Sequence, residues 1–269
     1  MKKLFVVGAA RSGTSWLQII LGNHDGIATV RETHLFDNYI SKLYESWENE
    51  AQNVEKDGLR LLMDRDAMDD VARSFADKVF ARIEAAKPGA QIMLEKTPTH
   101  IYHHRLIHRL YPDALFLHMV RDPRAVVASM LAASKESWGV WAPNDLITAA
   151  RVWRDCARIG HREMAAYGAQ TLELRYEDLS ADPDVALARI WNWLGLDPQP
   201  YDRERFSVDS LRGHGQNGVE TDPAWENRTN FFRRGQTDSW IEELKPEEIA
   251  IVEGIAGQLF HDLGYTPHI

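Results

Sequence analysis

The sequence has a single cysteine, Cys156, among its 269 residues. One cysteine excludes an intramolecular disulfide and any zinc site built from several thiolates. The chain also lacks an apolar run near the ~18 residues of a membrane-spanning helix. Positive charge is not in excess, because 31 lysines and arginines face 40 aspartates and glutamates, for a net charge of −9. Nucleic acid is therefore not expected as a partner, whereas a local basic pocket for a small anion is compatible with this charge.

The N-terminus lacks a convincing targeting signal. Lys2 and Lys3 precede an apolar run of seven residues that stops at Arg11, at the lower limit for a signal peptide. We therefore expect a cytoplasmic protein. With 44% hydrophobic and 26% charged residues, the composition is that of a soluble globular protein. Because neither repeats nor a linker are evident, we predict one domain over residues 1–269.

Short apolar segments alternate with helical patterns along the chain. Strands are predicted over residues 4–7, 27–30, 92–94, 114–120 and 171–175. Helices are predicted over 14–22, most of 35–82, 102–110, 146–167, 184–194 and 246–263. Asp122 is expected to cap a further helix that has Pro123 at its first position. This alternation is typical of an α/β fold with a central parallel sheet.

The segment after the first predicted strand is Gly8-Ala9-Ala10-Arg11-Ser12-Gly13-Thr14-Ser15. Its two glycines have the spacing of the nucleotide-binding loop G-x-x-x-x-G-K-[ST], and a strand and a helix flank them. Backbone N–H groups and the helix N-terminus in such a loop bind anions. Thr14 occupies the position of the lysine that serves the β- and γ-phosphates, which argues against hydrolysis of ATP or GTP. Arg11, inside the loop, can bind a smaller anion through two hydrogen bonds.

Four segments, in the same order, resemble the sulfotransferases that use 3′-phosphoadenylyl sulfate (PAPS). RSGTSW, from Arg11 to Trp16, resembles the loop that binds the 5′-phosphosulfate. MVRDPR, residues 119–124, together with Ser129, resembles the motif that binds the 3′-phosphate. RYEDL, residues 175–179, resembles the segment near the adenine, and FRRG, residues 232–235, followed by Trp240, resembles the C-terminal loop.

The resemblance spans about residues 4–265 and implies a single-domain, three-layer α/β sandwich like that of P-loop NTPases. It implies PAPS as donor and adenosine 3′,5′-bisphosphate as product. The residues that it assigns to the nucleotide are Arg11, Ser12, Gly13, Thr14, Ser15, Trp16, Arg121, Ser129, Tyr176, Arg233, Arg234 and Gly235. The forked donors of the three later arginines also suit a dianionic phosphate on chemical grounds.

Two residues compete for the role of general base. Glu32 opens the segment ETHLFD, residues 32–37, which resembles the Glu-x-His-Phe-Phe-Asp segment of heparan sulfate 3-O-sulfotransferases, and its spacing from Arg11 matches the catalytic glutamate of tyrosylprotein sulfotransferases. This resemblance also places His34 and Asp37 in the acceptor site, with His34 as a further catalytic residue. His100 ends KTPTH, which resembles less closely the Lys-Thr-His segment of cytosolic sulfotransferases. Since two residues separate Thr97 from this histidine, the resemblance favours Glu32.

Lys96 ends the third predicted strand, at the edge where open α/β sheets bind ligands. We predict that Lys96 and Arg11 stabilise charge on the leaving oxygen while Glu32 takes the proton of an acceptor hydroxyl. No metal is expected, and the acceptor can be a saccharide, an alcohol, a phenol, a carrier-bound hydroxyl or a protein tyrosine.

Two other functions are compatible with the same patterns. One is a P-loop kinase for a small molecule, which Thr14 disfavours. The other is a non-catalytic nucleotide or carbohydrate binder on the same fold, which the presence of Glu32 and Lys96 disfavours. Separately, the loop 133–145 carries Trp138 and Trp141, which indicates either a lid or substrate wall or ordinary packing beneath a long loop.

Overall fold

The computed structural model describes residues 1–50, 57–207, 210–211 and 236–268. Within this part of the chain, five strands form one parallel sheet in the order β2-β3-β1-β4-β5. Their bounds are β1 Lys2–Gly8, β2 Ile27–Thr29, β3 Ile92–Glu95, β4 Leu115–Val120 and β5 Thr171–Arg175. All the strands predicted from the sequence are confirmed.

Helices cover both faces of the sheet. Their bounds are α1 Thr14–Gly22, α2 Ser41–Asn49, α3 Arg65–Ala86, α4 His104–Leu110, α5 Pro123–Ala133, α6 Leu146–Arg158, α7 Tyr176–Ala181, α8 Pro183–Leu194, α9 Arg203–Phe206, α10 Trp240–Glu243, α11 Pro246–Ala256 and α12 Gln258–Asp262. Tighter 3₁₀ turns lie at Leu59–Leu61, Pro98–His103 and Met164–Gln170, and wider π-helical turns at Leu35–Ile40 and Ile159–Glu163. Among the helices described, none has the length and apolarity that a bilayer crossing requires.

Alternate side chains of β1 enter two hydrophobic cores. Phe5 and Val7 pack in the core that includes residues of α3, α5 and α6, and Leu4 and Val6 pack in the core that includes residues of α1 and α8. Burial on both faces explains why the strand is apolar without interruption. The predicted three-layer α/β sandwich with a central parallel sheet is confirmed.

The start of α5 also agrees with the sequence. Asp122 accepts a hydrogen bond from the Arg124 N–H at 2.8 Å, and Pro123 occupies the first turn. This cap fixes where β4 ends and the helix begins, directly after Arg121.

Two helices predicted as continuous are interrupted, and these predictions were wrong in that respect. The predicted helix 146–167 leaves regular α geometry after Arg158. There Gly160 lies so close to β4 that a Cβ atom would sit 2.2 Å from the His118 ring. The predicted helix 246–263 breaks at Gly257, whose φ of 57° and ψ of −137° are not helical. Both breaks occur at glycine, the residue that best tolerates close approach and positive φ.

Candidate active site

The carboxyl ends of the five strands converge on the predicted site. The loop after β1 carries residues 11–15, β2 is followed by Glu32, β3 by Lys96, β4 by Arg121, and Tyr176 follows β5 directly. Since all strands are parallel, these ends meet at one edge of the sheet, where open α/β folds bind ligands. The topology thus brings together residues that are widely separated in sequence.

Two glycines give the loop after β1 its shape. A Cβ on Gly8 would lie 2.3 Å from the carbonyl oxygen of Met119 on β4. Gly13, directly before α1, has a φ of 94°, and a Cβ there would lie 2.5 Å from the Tyr176 ring. No other residue fits either position without displacing a neighbour. The loop is therefore packed tightly against the segments that follow β4 and β5.

Arg11 links the two predicted phosphate motifs. Its Nε donates a hydrogen bond to Ser129 Oγ at 3.0 Å, and Arg121 Nη1 donates to the carbonyl oxygen of Arg11 at 3.3 Å. The Arg11 guanidinium also lies 5.6 Å from the centroid of the Trp138 ring. Three predicted nucleotide-binding residues thus contact one another in the structure.

The aromatic loop 133–145 borders this arginine. The Trp138 and Trp141 ring centroids are 6.5 Å apart, and Val140 and Trp141 are 91% and 48% exposed. The loop therefore presents an apolar surface beside Arg11, which favours its interpretation as a substrate wall over packing alone.

Positive φ angles at non-glycine residues mark the same edge. Within the described residues they occur at Arg11, with a φ of 72°, and at His34, with a φ of 50°. Such a conformation costs roughly 1–2 kcal/mol and persists where surrounding contacts enforce it, often at functional sites. Both residues were predicted to be catalytic.

The predicted adenine side is built from an arginine and two aromatic side chains in contact. The Arg121 guanidinium lies 4.2 Å from the centroid of the Tyr176 ring, which is 5.5 Å from the centroid of the Trp16 ring. Trp16 Nε1 donates a hydrogen bond to the carbonyl of Phe206 at 2.9 Å. Both rings are buried and also belong to the second core, so their contact with adenine stays a prediction.

The structure describes only part of the last predicted motif, FRRG with Trp240. Arg233, Arg234 and Gly235 lie outside the described residues. Trp240, which follows them, is buried and packs against Arg124, whose guanidinium lies 3.9 Å from the ring centroid. This tryptophan therefore anchors the C-terminal segment on α5.

Glu32, His34 and Lys96 form one connected cluster. Lys96 Nζ donates hydrogen bonds to Glu32 Oε1 and, at 3.0 Å, to Ser15 Oγ in the phosphate loop. On the other side, Glu32 Oε2 lies 3.4 Å from His34 Nε2, and His34 Nδ1 lies 3.1 Å from Asp37 Oδ2. The Lys96 side chain is 3% exposed, whereas that of Glu32 is 32% exposed. The buried Lys96 thus connects Ser15 of the phosphate loop to the carboxylate of Glu32, which solvent reaches.

The charges in this cluster strongly shift the pKa values of Glu32 and His34. Burial alone raises the pKa of Glu32, but the charge of Lys96 and hydrogen bonds from His34 and Lys96 outweigh it and lower this pKa to about 2. Hydrogen bonds to Asp37 and Glu32 raise the pKa of His34 to about 10, although burial opposes the shift. At neutral pH the donor-free site therefore holds an ionised Glu32 between two cations.

These shifts predict how the cluster contributes to stability. Since the pKa of Glu32 is lowered from 4.5 to about 2, its contribution is present above pH 4.5 and is lost as the pH falls towards 2. Since the pKa of His34 is raised from 6.5 to about 10, its contribution is present below pH 6.5 and is lost as the pH rises towards 10. We expect the unfolding free energies of wild type and His34→Gln, measured in urea, to differ more at about pH 5.5 than at about pH 9.5. An equal difference at both pH values would contradict the ion pairs.

His100, the second candidate for the base, lies behind this cluster and is fully buried. The Phe36 N–H donates to His100 Nε2 at 3.1 Å, and His100 Nδ1 lies 2.8 Å from Glu95 Oε2. The His100 ring is thus enclosed by protein atoms and does not reach the solvent-accessible side of the cluster, which favours Glu32 as the base.

No role was predicted from the sequence for Thr33, Glu95 or Thr97. Glu95 is 1% exposed and accepts hydrogen bonds from both threonine hydroxyls, at 2.8 and 2.6 Å. A charged residue at the end of the otherwise apolar strand IMLE is the sequence signal that could have identified it, because ionised carboxylates are almost never fully buried without partners. Across the ranges that the structure describes, no group of three or more histidine, cysteine, aspartate or glutamate side chains could hold a metal ion.

Fold and site together define a class of protein: a parallel α/β protein whose loop after β1 has the glycine spacing of a P-loop without its lysine, with a carboxylate–lysine pair beside that loop. The sequence model of the Sulfotransferase family matches residues 3–200, well over half of the chain. The chain belongs to this family, and the prediction of a sulfotransferase enzyme is confirmed.

Three individual relatives share about a quarter of their aligned residues with this chain. A putative protein-tyrosine sulfotransferase of Caenorhabditis briggsae is 26% identical over 219 residues, which cover 81% of this chain and 71% of that protein. The nodulation protein NoeE of Sinorhizobium fredii is 25% identical over 286 residues, which cover 97% of this chain and 65% of that protein. Against a protein-tyrosine sulfotransferase of Gallus gallus the chain spans about half of the relative's length, 52%.

Solved structures share the fold at low identity. The sulfotransferase domain of an olefin synthase from Synechococcus matches with a TM-score of 0.64 and 21% identity, covering 99% of this chain and 95% of that one. The mouse sulfotransferase SULT7A1, crystallised with PAP, matches with a TM-score of 0.57 and 16% identity, covering 98% and 86%. These likenesses support the three-layer fold.

Proposed function

We propose that this protein transfers a sulfuryl group from PAPS to an acceptor hydroxyl, with Glu32 as general base. One observation carries the proposal: Lys96 bridges Glu32 to Ser15, so a solvent-accessible carboxylate and a buried cation meet at the anion-binding loop. General base catalysis of an in-line displacement needs this juxtaposition of a proton acceptor with a charge that stabilises the leaving oxygen.

The chain's free donors fit the nucleotide. Ser12 Oγ and Arg121 Nε are both buried, and neither has a hydrogen-bond partner among the described residues. The loop from Arg11 to Trp16 would hold the 5′-phosphosulfate, and the residues proposed for the 3′-phosphate and adenine are Arg121, Ser129, Tyr176, Arg233, Arg234 and Gly235. When bound, PAPS supplies the sulfuryl group and leaves as adenosine 3′,5′-bisphosphate.

Glu32 accepts the hydroxyl proton in this mechanism, while the acceptor oxygen attacks in line with the leaving oxygen. Lys96 and Arg11 stabilise the charge that develops on that oxygen. Lys96 holds the pKa of Glu32 low in the donor-free state. Once Lys96 is shared with an anionic donor, its attraction for Glu32 weakens and the carboxylate becomes a stronger base, nearer the pKa that suits catalysis at neutral pH.

The proposed acceptor carries a hydroxyl group. His34 lies beside Glu32 on the exposed side of the cluster, 44% exposed, and the loop with Trp138 and Trp141 adds an apolar wall beside Arg11. A screen of alcohols, phenols, saccharides and tyrosine peptides with an isotopically labelled sulfate donor, read by mass, identifies the acceptor. Single-turnover transfer to any of them excludes the non-catalytic binder.

We expect adenosine 3′,5′-bisphosphate to raise the melting temperature in the absence of magnesium. At a concentration of 100 Kd the stabilisation is about 2.7 kcal/mol, which corresponds to an increase of roughly 5–10 °C for a chain of this size. ATP and adenosine 5′-monophosphate, tested as controls in differential scanning fluorimetry, should stabilise much less, because neither carries a 3′-phosphate. Equal stabilisation by ATP, or a strict need for magnesium, would instead support the kinase.

A further inference from the structure

Four consecutive backbone N–H groups next to Glu32 donate to side chains and not to carbonyl groups. Three of the four acceptors belong to the end of β3 and the segment after it, so side chains of that stretch fix the backbone that follows Glu32. The bonds run from Thr33 to Glu95 Oε1 at 3.2 Å, from His34 to Thr97 Oγ1 at 3.3 Å, from Leu35 to Thr33 Oγ1 at 3.2 Å, and from Phe36 to His100 Nε2 at 3.1 Å.

Glu95 is the centre of this arrangement. Its Oε1 accepts from the Thr33 N–H and from the hydroxyls of Thr33 and Thr97, and its Oε2 lies 2.8 Å from His100 Nδ1. Burial alone raises the pKa of Glu95, but His100 and the two hydroxyls outweigh it and lower this pKa. The group is therefore an ionised carboxylate, and its charge strengthens each hydrogen bond that it accepts.

The bonds hold the backbone on both sides of a strained residue. His34 has a φ of 50°, and a conformation of this kind persists only where its surroundings enforce it. Glu32 lies directly before the anchored Thr33. Lys96, which pairs with Glu32, stands in the chain between Glu95 and Thr97, so one three-residue stretch positions both the backbone of the base and its cationic partner.

We propose that Glu95, supported by His100, is a positioning residue that aims Glu32 at the acceptor hydroxyl through Thr33. Glu95 itself is buried, so its proposed role is exerted through Thr33 and not by contact with the reacting groups. The inference rests on the proposed role of Glu32 as base. It assigns a function to the buried pair of Glu95 and His100 that the mechanism otherwise leaves unused.

Three variants of the full-length protein test this assignment. Glu95→Gln keeps the shape and removes the charge. Thr33→Val removes the hydroxyl that donates to Glu95 and accepts from the Leu35 N–H, and Thr33→Ser keeps that hydroxyl as the matched control. We expect kcat to fall about 10–100-fold in Glu95→Gln and about tenfold in Thr33→Val, because small displacements of a catalytic group cost about that much. KM for PAPS and the affinity for adenosine 3′,5′-bisphosphate should stay within about twofold, and Thr33→Ser should stay near wild type.

Amide hydrogen exchange gives a readout that does not need turnover. Peptides across residues 31–38 should exchange faster in Glu95→Gln and Thr33→Val than in wild type and Thr33→Ser, while peptides across the loop 8–15 should not change. Unchanged exchange in 31–38, wild-type kcat in both variants, or parallel losses of kcat and bisphosphate affinity would overturn the proposal. If wild type transfers sulfate to no acceptor, the proposed function fails, and the exchange rates still decide whether Glu95 holds this segment.

Discussion

Glu32→Gln is expected to lower kcat by about 10²–10⁴-fold, the usual contribution of a positioned acid–base group. Glutamine keeps the length and shape of the side chain and can still accept a hydrogen bond from Lys96, but it cannot take a proton from the acceptor. The affinity for adenosine 3′,5′-bisphosphate should be nearly unchanged, because Glu32 does not hold the nucleotide. Steady-state kinetics and calorimetric titration of the bisphosphate measure the two quantities separately.

Glu163→Gln is a suitable control for this variant. Glu163 is also a carboxylate in ion pairs, but it lies in the π-helical turn after α6, and its partners His104, Arg105 and Arg158 are outside the loop 8–15. The kcat of Glu163→Gln should match that of wild type. If Glu32→Gln keeps nearly full turnover while His100→Gln abolishes it, the histidine is the base and the role assigned to Glu32 is wrong.

Arg121→Ala is expected to weaken binding of adenosine 3′,5′-bisphosphate by about 2–5 kcal/mol, roughly 30-fold to several thousandfold, if the arginine pairs with a largely desolvated phosphate. The geometry supports this expectation, because Arg121 stacks on Tyr176, its Nε is buried without a described hydrogen-bond partner, and Nη2 donates to the carbonyl of Gln236 at 2.9 Å. The loss should be much smaller for adenosine 5′-monophosphate. Calorimetric titration of both nucleotides measures the difference.

Arg154→Ala is the matched control, since Arg154 lies on α6 and, within the part of the chain that the structure describes, forms its ion pair with the adjacent Asp155 at 2.9 Å. Its affinity for both nucleotides should equal that of wild type. Because Arg121 Nη1 also donates to the carbonyl of Arg11, the melting temperature of Arg121→Ala must be compared as well. An equal loss of affinity for the two nucleotides would mean that Arg121 shapes the loop and does not read the 3′-phosphate.

Several features of the site could be predicted from local sequence. The spacing of Gly8 and Gly13 between a strand and a helix predicts an anion-binding loop, because the requirement for glycine at such positions arises from the loop's own backbone and its immediate neighbours. Arg11 and Glu32 each lie in the segment that follows a predicted strand. Since the carboxyl ends of parallel strands share one edge, the alternation of strands and helices alone predicts that these residues meet.

Local sequence could not predict where regular helices would break. The pattern over 146–167 is helical, yet regular α geometry ends at Arg158, and just beyond it Gly160 lies so close to β4 that a Cβ there would be 2.2 Å from the His118 ring. Helical periodicity reports which face of a helix is apolar. It does not report how near the helix comes to the sheet, which depends on the packing of both layers.

The choice between the two candidate bases also needed the tertiary structure. In the sequence, Glu32 and His100 are both plausible, and Glu95 is only the end of a strand. The order β2-β3-β1 places β2 next to β3, so the segment after β2 lies against the segment after β3.

The sequence by itself determined the loop, the parallel sheet and the residues at its strand ends, because these follow from short-range pattern. Only the pairing of β2 with β3 decided that Glu32 reaches solvent beside Lys96 while Glu95 and His100 are buried behind it, because burial and hydrogen-bond partners arise from contacts between segments far apart in the chain.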